Sequence, residues 1–151
     1  MNEDFLDLLR SFINADVRFL VVGAYAIAVH GHPRATADLD VWVEPTPDNA
    51  RRTYRALESF GAPLSAVGVE DFEAPDTVFQ MGVPPRRIDV LTSISAVEFS
   101  RAWQSRATAE FDDIEVPVIG IDELLRNKRS TGRKKDEVDA ETLEELRDLD
   151  D

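Results

Sequence analysis

A chain of 151 residues, 43% of them hydrophobic, is long enough for one packed core. Its formal charge of −13 argues against a protein that coats duplex DNA without sequence preference. It has no cysteine, which excludes disulfides and thiolate metal sites, and its two histidines, His30 and His32, are too few for a histidine-rich zinc centre.

The opening "MNEDFLDLLRSF" is too acidic for a signal or transit peptide, and no apolar run approaches the ~18–20 residues that span a bilayer. A cytoplasmic protein of one domain over 1–151, with no membrane partner, is the expectation. Phe5, Leu8, Leu9, Phe12 and Ile13 recur at helical spacing and predict a helix over 3–14. "VRFLVV" (17–22) is an apolar run of strand length, ended by Gly23. "AYAIAVHG" (24–31) predicts a short buried helix stopping at Gly31, ahead of Pro33. "DLDVWVE" (38–44) alternates as a strand, with Leu39, Val41 and Val43 on one face and Asp38, Asp40, Trp42 and Glu44 on the other. Residues 48–61 predict a helix capped by Asp48, with a stripe of Ala50, Tyr54, Leu57 and Phe60.

Residues 62–76 mix proline, glycine and acid and predict irregular chain. Strands are expected over 77–82 and 86–93, joined at "VPP", and a short helix over 96–104. Residues 111–120 read as a strand broken by Pro117, 121–130 as a helix capped by Asp122, and 134–149 as a helix with Val138, Leu143, Leu146 and Leu149 on its apolar side. The last 19 residues carry 9 acidic and 4 basic side chains, a solvated face or a dock for a basic partner. This order predicts an α+β (mixed α/β) fold, with a central mixed sheet flanked by helices.

The chemistry starts with Asp38 and Asp40. Residues i and i+2 of a strand face the same way, ~6.5–7 Å apart, so two anions project together from an apolar strand. Burying them unpaired costs several kcal/mol, and a hard divalent cation removes that cost; oxygen-only ligands favour Mg²⁺ or Mn²⁺. Asp89 lies in a similar apolar strand, "RRIDVLTS". If that strand neighbours 38–44, three carboxylates converge, enough for two metal ions about 4 Å apart. Taken singly, each Asp can also be an exposed strand end. Gly23 and Ala24 sit between strand and helix, where backbone N–H groups attract phosphate, and Arg34 supplies a cation four residues before Asp38. Trp42, on the carboxylate face, and Trp103, near Phe99, are expected to pack in the core, although Trp42 can also floor a nucleobase. His30 and His32 are expected at a helix end.

The Gly23-Ala24 turn, the 13 residues to Asp38-Leu39-Asp40, and the later Asp89 together resemble the DNA polymerase β-like nucleotidyltransferase superfamily. The phrase Arg34-Ala35-Thr36-Ala37-Asp38-Leu39-Asp40 is similar to that of its small bacterial branch: minimal nucleotidyltransferases and AbiE-type proteins of abortive-infection and toxin–antitoxin systems. So is the later set Leu124, Leu125, Lys128, Arg133-Lys134-Lys135-Asp136 and Asp139. The resemblance covers most of 17–143. It implies that Asp38, Asp40 and Asp89 are catalytic and hold Mg²⁺ or Mn²⁺, with Asp89 activating a hydroxyl. It also implies that Gly23, the Ala24 amide, Arg34, Thr36, Lys128, Arg133 and Lys135 surround an NTP. The implied reaction moves a nucleoside monophosphate onto a hydroxyl of RNA, protein or a small molecule, with a toxin or antitoxin as possible partner protein. One residue departs from the pattern: Ala24 stands where the family has Ser or Gly and offers phosphate only its backbone N–H. The alternatives are a regulatory or antitoxin binding module on the same fold and an unrelated metal-dependent phosphohydrolase.

Overall fold

The computed structural model describes residues 1–32 and 38–150. Among the described residues, six α-helices, α1 (Glu3–Asn14), α2 (Gly23–Val29), α3 (Pro47–Phe60), α4 (Phe99–Gln104), α5 (Ile121–Ser130) and α6 (Lys134–Asp150), accompany six strands. The strands are β1 (Phe19–Val22), β2 (Leu39–Val43), β3 (Val78–Met81), β4 (Ile88–Leu91), β5 (Ala107–Phe111) and β6 (Ile114–Val118). They form one mixed sheet in the order β3-β4-β2-β1-β6-β5. β2 runs parallel to β4 and antiparallel to β1; β6 runs parallel to β1; β3 and β5 pair antiparallel at the two edges.

The alternation in β2 sorts its side chains as the sequence predicts. Leu39, Val41 and Val43 are fully buried on one face. Phe19, the cross-strand partner of Val43, shares that face and meets Phe12 of α1 edge-on, ring centroids 5.3 Å apart. α1 also packs against α3, so this face is closed by a helical layer. On the other face Trp42 is buried and meets Phe99 of α4 at 5.0 Å, edge to face. The packing reading of Trp42 therefore holds, and its indole is closed to a nucleobase. Trp103 is only half-buried: it stacks on Phe99, with the guanidinium of Arg106 4.0 Å from its ring centre.

Several sequence expectations shift. Asp48 lies inside α3 and pairs with Arg51; Thr46 is the N-cap residue, and Pro47 opens the helix with the φ that a first turn needs. Asp122 likewise lies inside α5, where it pairs with Arg147, and Gly120 is the cap. The expected broken strand is a hairpin: β5 starts at Ala107, turns at Asp112 and Asp113, and returns as β6 with Pro117 inside it, opposite Thr108. Leu143 is buried as expected, with Ala140, but Val138 and Leu149 are exposed. A 3-10 turn (Val69–Phe72) interrupts the stretch expected to be irregular and plants Phe72 in the core.

Candidate active site

Strand register brings the acids together. Val22 of β1 opposes Asp40 of β2, and Asp40 opposes Asp89 of β4, so these positions form one row across three adjacent strands. Directly opposed residues project from the same face of a sheet. Asp38 stands just ahead of β2, where its Oδ1 accepts the backbone N–H of Arg87 at 3.2 Å. Asp38, Asp40 and Asp89 thus line one cavity of about 480 Å³, because β2 and β4 are neighbours.

The same cavity is lined by Gly23, Ala24, Lys128, Arg133 and Lys135. Gly23 is constrained on local grounds. Its φ is +69°, and a Cβ there would strike the Asp40 carboxylate, 3.1 Å from Cγ. The turn out of β1 must therefore be bare for Asp40 to point into the cavity. Arg34 and Thr36 lie outside the described residues.

The sequence did not single out Arg87, yet it organises the carboxylates. It sits two residues before Asp89 and spans two acids, with its terminal nitrogen 3.5 Å from Asp38 and its Nε 3.1 Å from Asp89 Oδ1. The latter contact is close but misaligned, so Arg87 Nε and Asp89 Oδ1 are both buried without a hydrogen-bond partner. The signal was present: "RRID" places a cation on the same strand face as Asp89. Burial pushes the Asp40 carboxyl up to about 7; the charge and hydrogen bond of Asp89 and the charge of Asp38 add to this, while Arg87 opposes it. Tyr25 on α2 is also raised, by burial and by the charge of Asp38.

Lys128 comes from α5 and is held by two buried acids of α6, Asp136 at 3.2 Å and Asp139 at 3.8 Å. Asp136 also accepts from the Thr131 hydroxyl at 2.7 Å and pairs with Arg133 Nε at 3.0 Å. Burial works against the charge of Asp136, but Thr131, Lys128 and Arg133 together hold its pKa below the usual carboxylate range. The basic run therefore enters the cavity through a fixed ion-pair network across the α5–α6 junction. His30 ends α2 with Nε2 2.8 Å from the Ile119 carbonyl oxygen, a packing role as expected.

Among the described residues, no three His, Cys, Asp or Glu side chains are arranged closely enough to hold a metal ion. The donor set nevertheless fits a hard divalent cation: three carboxylates converge, and one buried oxygen, Asp89 Oδ1, has no hydrogen bond. In the described arrangement Arg87 and the Asp40–Asp89 contact relieve part of the repulsion that a cation would otherwise remove.

No protein-family model matches the sequence, and no curated protein matches it. Solved structures do match the fold. A lincosamide antibiotic adenylyltransferase with lincomycin bound superposes with a TM-score of 0.56 at 12% identity, covering 97% of this chain and 98% of the other. A Thermotoga maritima protein assigned as a nucleotidyltransferase gives 0.54 at 12% identity, over 99% of this chain and 96% of its own. An antigenic nucleotidyltransferase-like protein from Paracoccidioides brasiliensis gives 0.53 at 19% identity, over 97% of this chain and 75% of that one. Identities this low speak for the fold alone, and the chain has the mixed-sheet fold of these nucleotidyltransferase structures.

Proposed function

We propose that the chain is a metal-dependent nucleotidyltransferase, moving a nucleoside monophosphate from an NTP onto a hydroxyl group. The observation that carries this is the single row Val22–Asp40–Asp89, which joins the glycine turn after β1 to two carboxylates on neighbouring strands, with Asp38 alongside. Asp38, Asp40 and Asp89 would hold Mg²⁺ or Mn²⁺, which supplies charge neutralisation at the phosphates. Gly23 leaves the chain bare where a phosphate approaches, and the Ala24 amide, with no hydroxyl beside it, contributes a backbone donor only. Asp89 takes the proton of the attacking hydroxyl. Lys128, Arg133 and Lys135 form the cationic wall, with Asp136 and Asp139 fixing the direction of Lys128.

Charge count supports a role for a metal. Above about pH 7, where Asp40 is ionised, the cavity sets five carboxylates, Asp38, Asp40, Asp89, Asp136 and Asp139, against four cations, Arg87, Lys128, Arg133 and Lys135. A triphosphate would enter such a cavity against repulsion unless a divalent cation came with it. The fold neighbours include an adenylyltransferase of a small molecule, which favours no single acceptor here but is compatible with a small one.

The hold of Arg87 on Asp38 and Asp89 favours a second reading, a regulatory module whose carboxylates are neutralised from within. One experiment separates the two. α-labelled NTPs with Mg²⁺ should release pyrophosphate in the presence of wild-type chain, and the double substitution Asp38→Asn with Asp40→Asn should abolish the release. A wild type that neither binds Mg²⁺–NTP nor differs from the double variant leaves only the regulatory module.

A further inference from the structure

The row of residues through the carboxylates has one more member. β3 is an edge strand, and its Gln80 is the antiparallel partner of Asp89. Opposed residues of an antiparallel pair share a face, with Cα atoms ~4.5–5.5 Å apart. The exposed Gln80 therefore stands beside Asp89, on the side away from Asp40. In the other direction the row runs from Asp40 to Val22 and on to the glycine turn.

Nucleotidyl transfer, on which this inference rests, needs attacking and leaving oxygens in line. Pyrophosphate departs toward the Gly23 turn, so the acceptor arrives from the opposite end of the row, over Asp89. Gln80 is the polar side chain at that end of the row. We propose that Gln80 anchors an acceptor subsite on the β3 edge for a neutral vicinal diol. Its amide offers a donor and an acceptor side by side, matching a second hydroxyl next to the reacting one. Val78 flanks Gln80 on the same face, and Gly82 follows just past the end of β3. Val78 is 53% exposed, and Gly82, at φ +78° and with the Arg86 carbonyl oxygen 3.1 Å from any added Cβ, keeps the strand end bare. In the step itself the acceptor oxygen bonds to the α-phosphorus and the α–β bridging P–O bond breaks. Pyrophosphate leaves with that electron pair, and the hydroxyl proton passes to Asp89. A vicinal diol can come from a small polyol or from the ribose at an RNA 3′ end.

The test uses the full chain, Mg²⁺ and α-labelled ATP with three probes: glycerol, a short RNA ending in a 2′,3′-diol, and the same RNA with a 2′-deoxy terminal residue. The wild type should label glycerol or the diol RNA, and the deoxy terminus should react about tenfold less well than the diol. Gln80→Ala, at an exposed position, should raise the KM for the diol probe about tenfold while the Kd for Mg²⁺–ATP stays within about twofold. It should also lose the preference for the diol. Glycerol labelled without RNA points to a small acceptor, and RNA labelled without glycerol to a nucleic-acid end; either supports the subsite. It is overturned if Gln80→Ala keeps the wild-type KM, if nucleotide affinity falls in step with the KM, or if the deoxy terminus reacts as well as the diol. Pyrophosphate release without labelling of either diol probe overturns the subsite and leaves nucleotidyl transfer standing. No pyrophosphate release at all removes both.

Discussion

Arg87 holds two of the three carboxylates with one guanidinium, and Asp40 is left to share contact with Asp89. Burial first, and then the charge and contact of Asp89, keep the proton on Asp40 up to about 7, against an ordinary value of 3.8. A folded-state pKa that is raised gives stability fully present below the unfolded value and lost as pH rises through the folded one. The metal-free protein is expected to melt at progressively lower temperature as pH rises from 3.8 to about 7, and to level off above that. Stabilisation by Mg²⁺ should grow over the same range, because the metal binds the ionised carboxylate. Asp40→Asn should flatten both trends, and thermal melts across that range with and without Mg²⁺ measure them. Gly23 is the other decisive residue. Gly23→Ala combines a left-handed φ with a collision against Asp40, and should cost about 1–3 kcal/mol. An unchanged urea midpoint would show that Asp40 can turn away from the cavity.

At the scale of elements, the site depends on two junctions. The first is the parallel pairing of β2 with β4, which sets Asp40 beside Asp89. Sequence reveals both strands and both acids through alternation, since an Asp between apolar strand residues is costly to bury without a cation or a hydrogen-bonding partner. It does not reveal that the strands are neighbours, because pairing joins residues far apart in the chain. Gln80 is invisible to it for the same reason, since it matters only through the strand beside it, whereas the i, i+2 spacing of Arg87 and Asp89 was legible. The caps of α3 and α5 are misplaced by sequence because Asp48 and Asp122 are good N-cap residues that here sit inside the first turn, where Arg51 and Arg147 hold them. The hairpin at 107–118 is hidden by Pro117, which a strand near the sheet edge accommodates. The second junction is α5–α6. Asp136→Ala would leave the half-buried Lys128 short of a partner, and should destabilise the fold by about 3–5 kcal/mol. Chemical denaturation checks it, and a loss below about 1 kcal/mol would mean that Lys128 simply turns to solvent.

Over the whole molecule, an excess of acid coexists with a cavity built for anions only when a cation is added. Its formal charge of −13 includes 9 acidic against 4 basic residues in the last 19, on or next to α6. Among the described residues, no helix is long and apolar enough to cross a membrane. The mixed sheet and its flanking helices match nucleotidyltransferase structures with little sequence identity, so the fold tolerates wide change while the carboxylate row depends on a few positions. Titration of the chain with a non-hydrolysable NTP, with and without Mg²⁺, tests the account most directly. Binding that requires Mg²⁺, and that disappears in Asp38→Asn with Asp40→Asn while the variant stays folded, is the predicted result. Binding that is equal with and without Mg²⁺, or unchanged in the double variant, would contradict it.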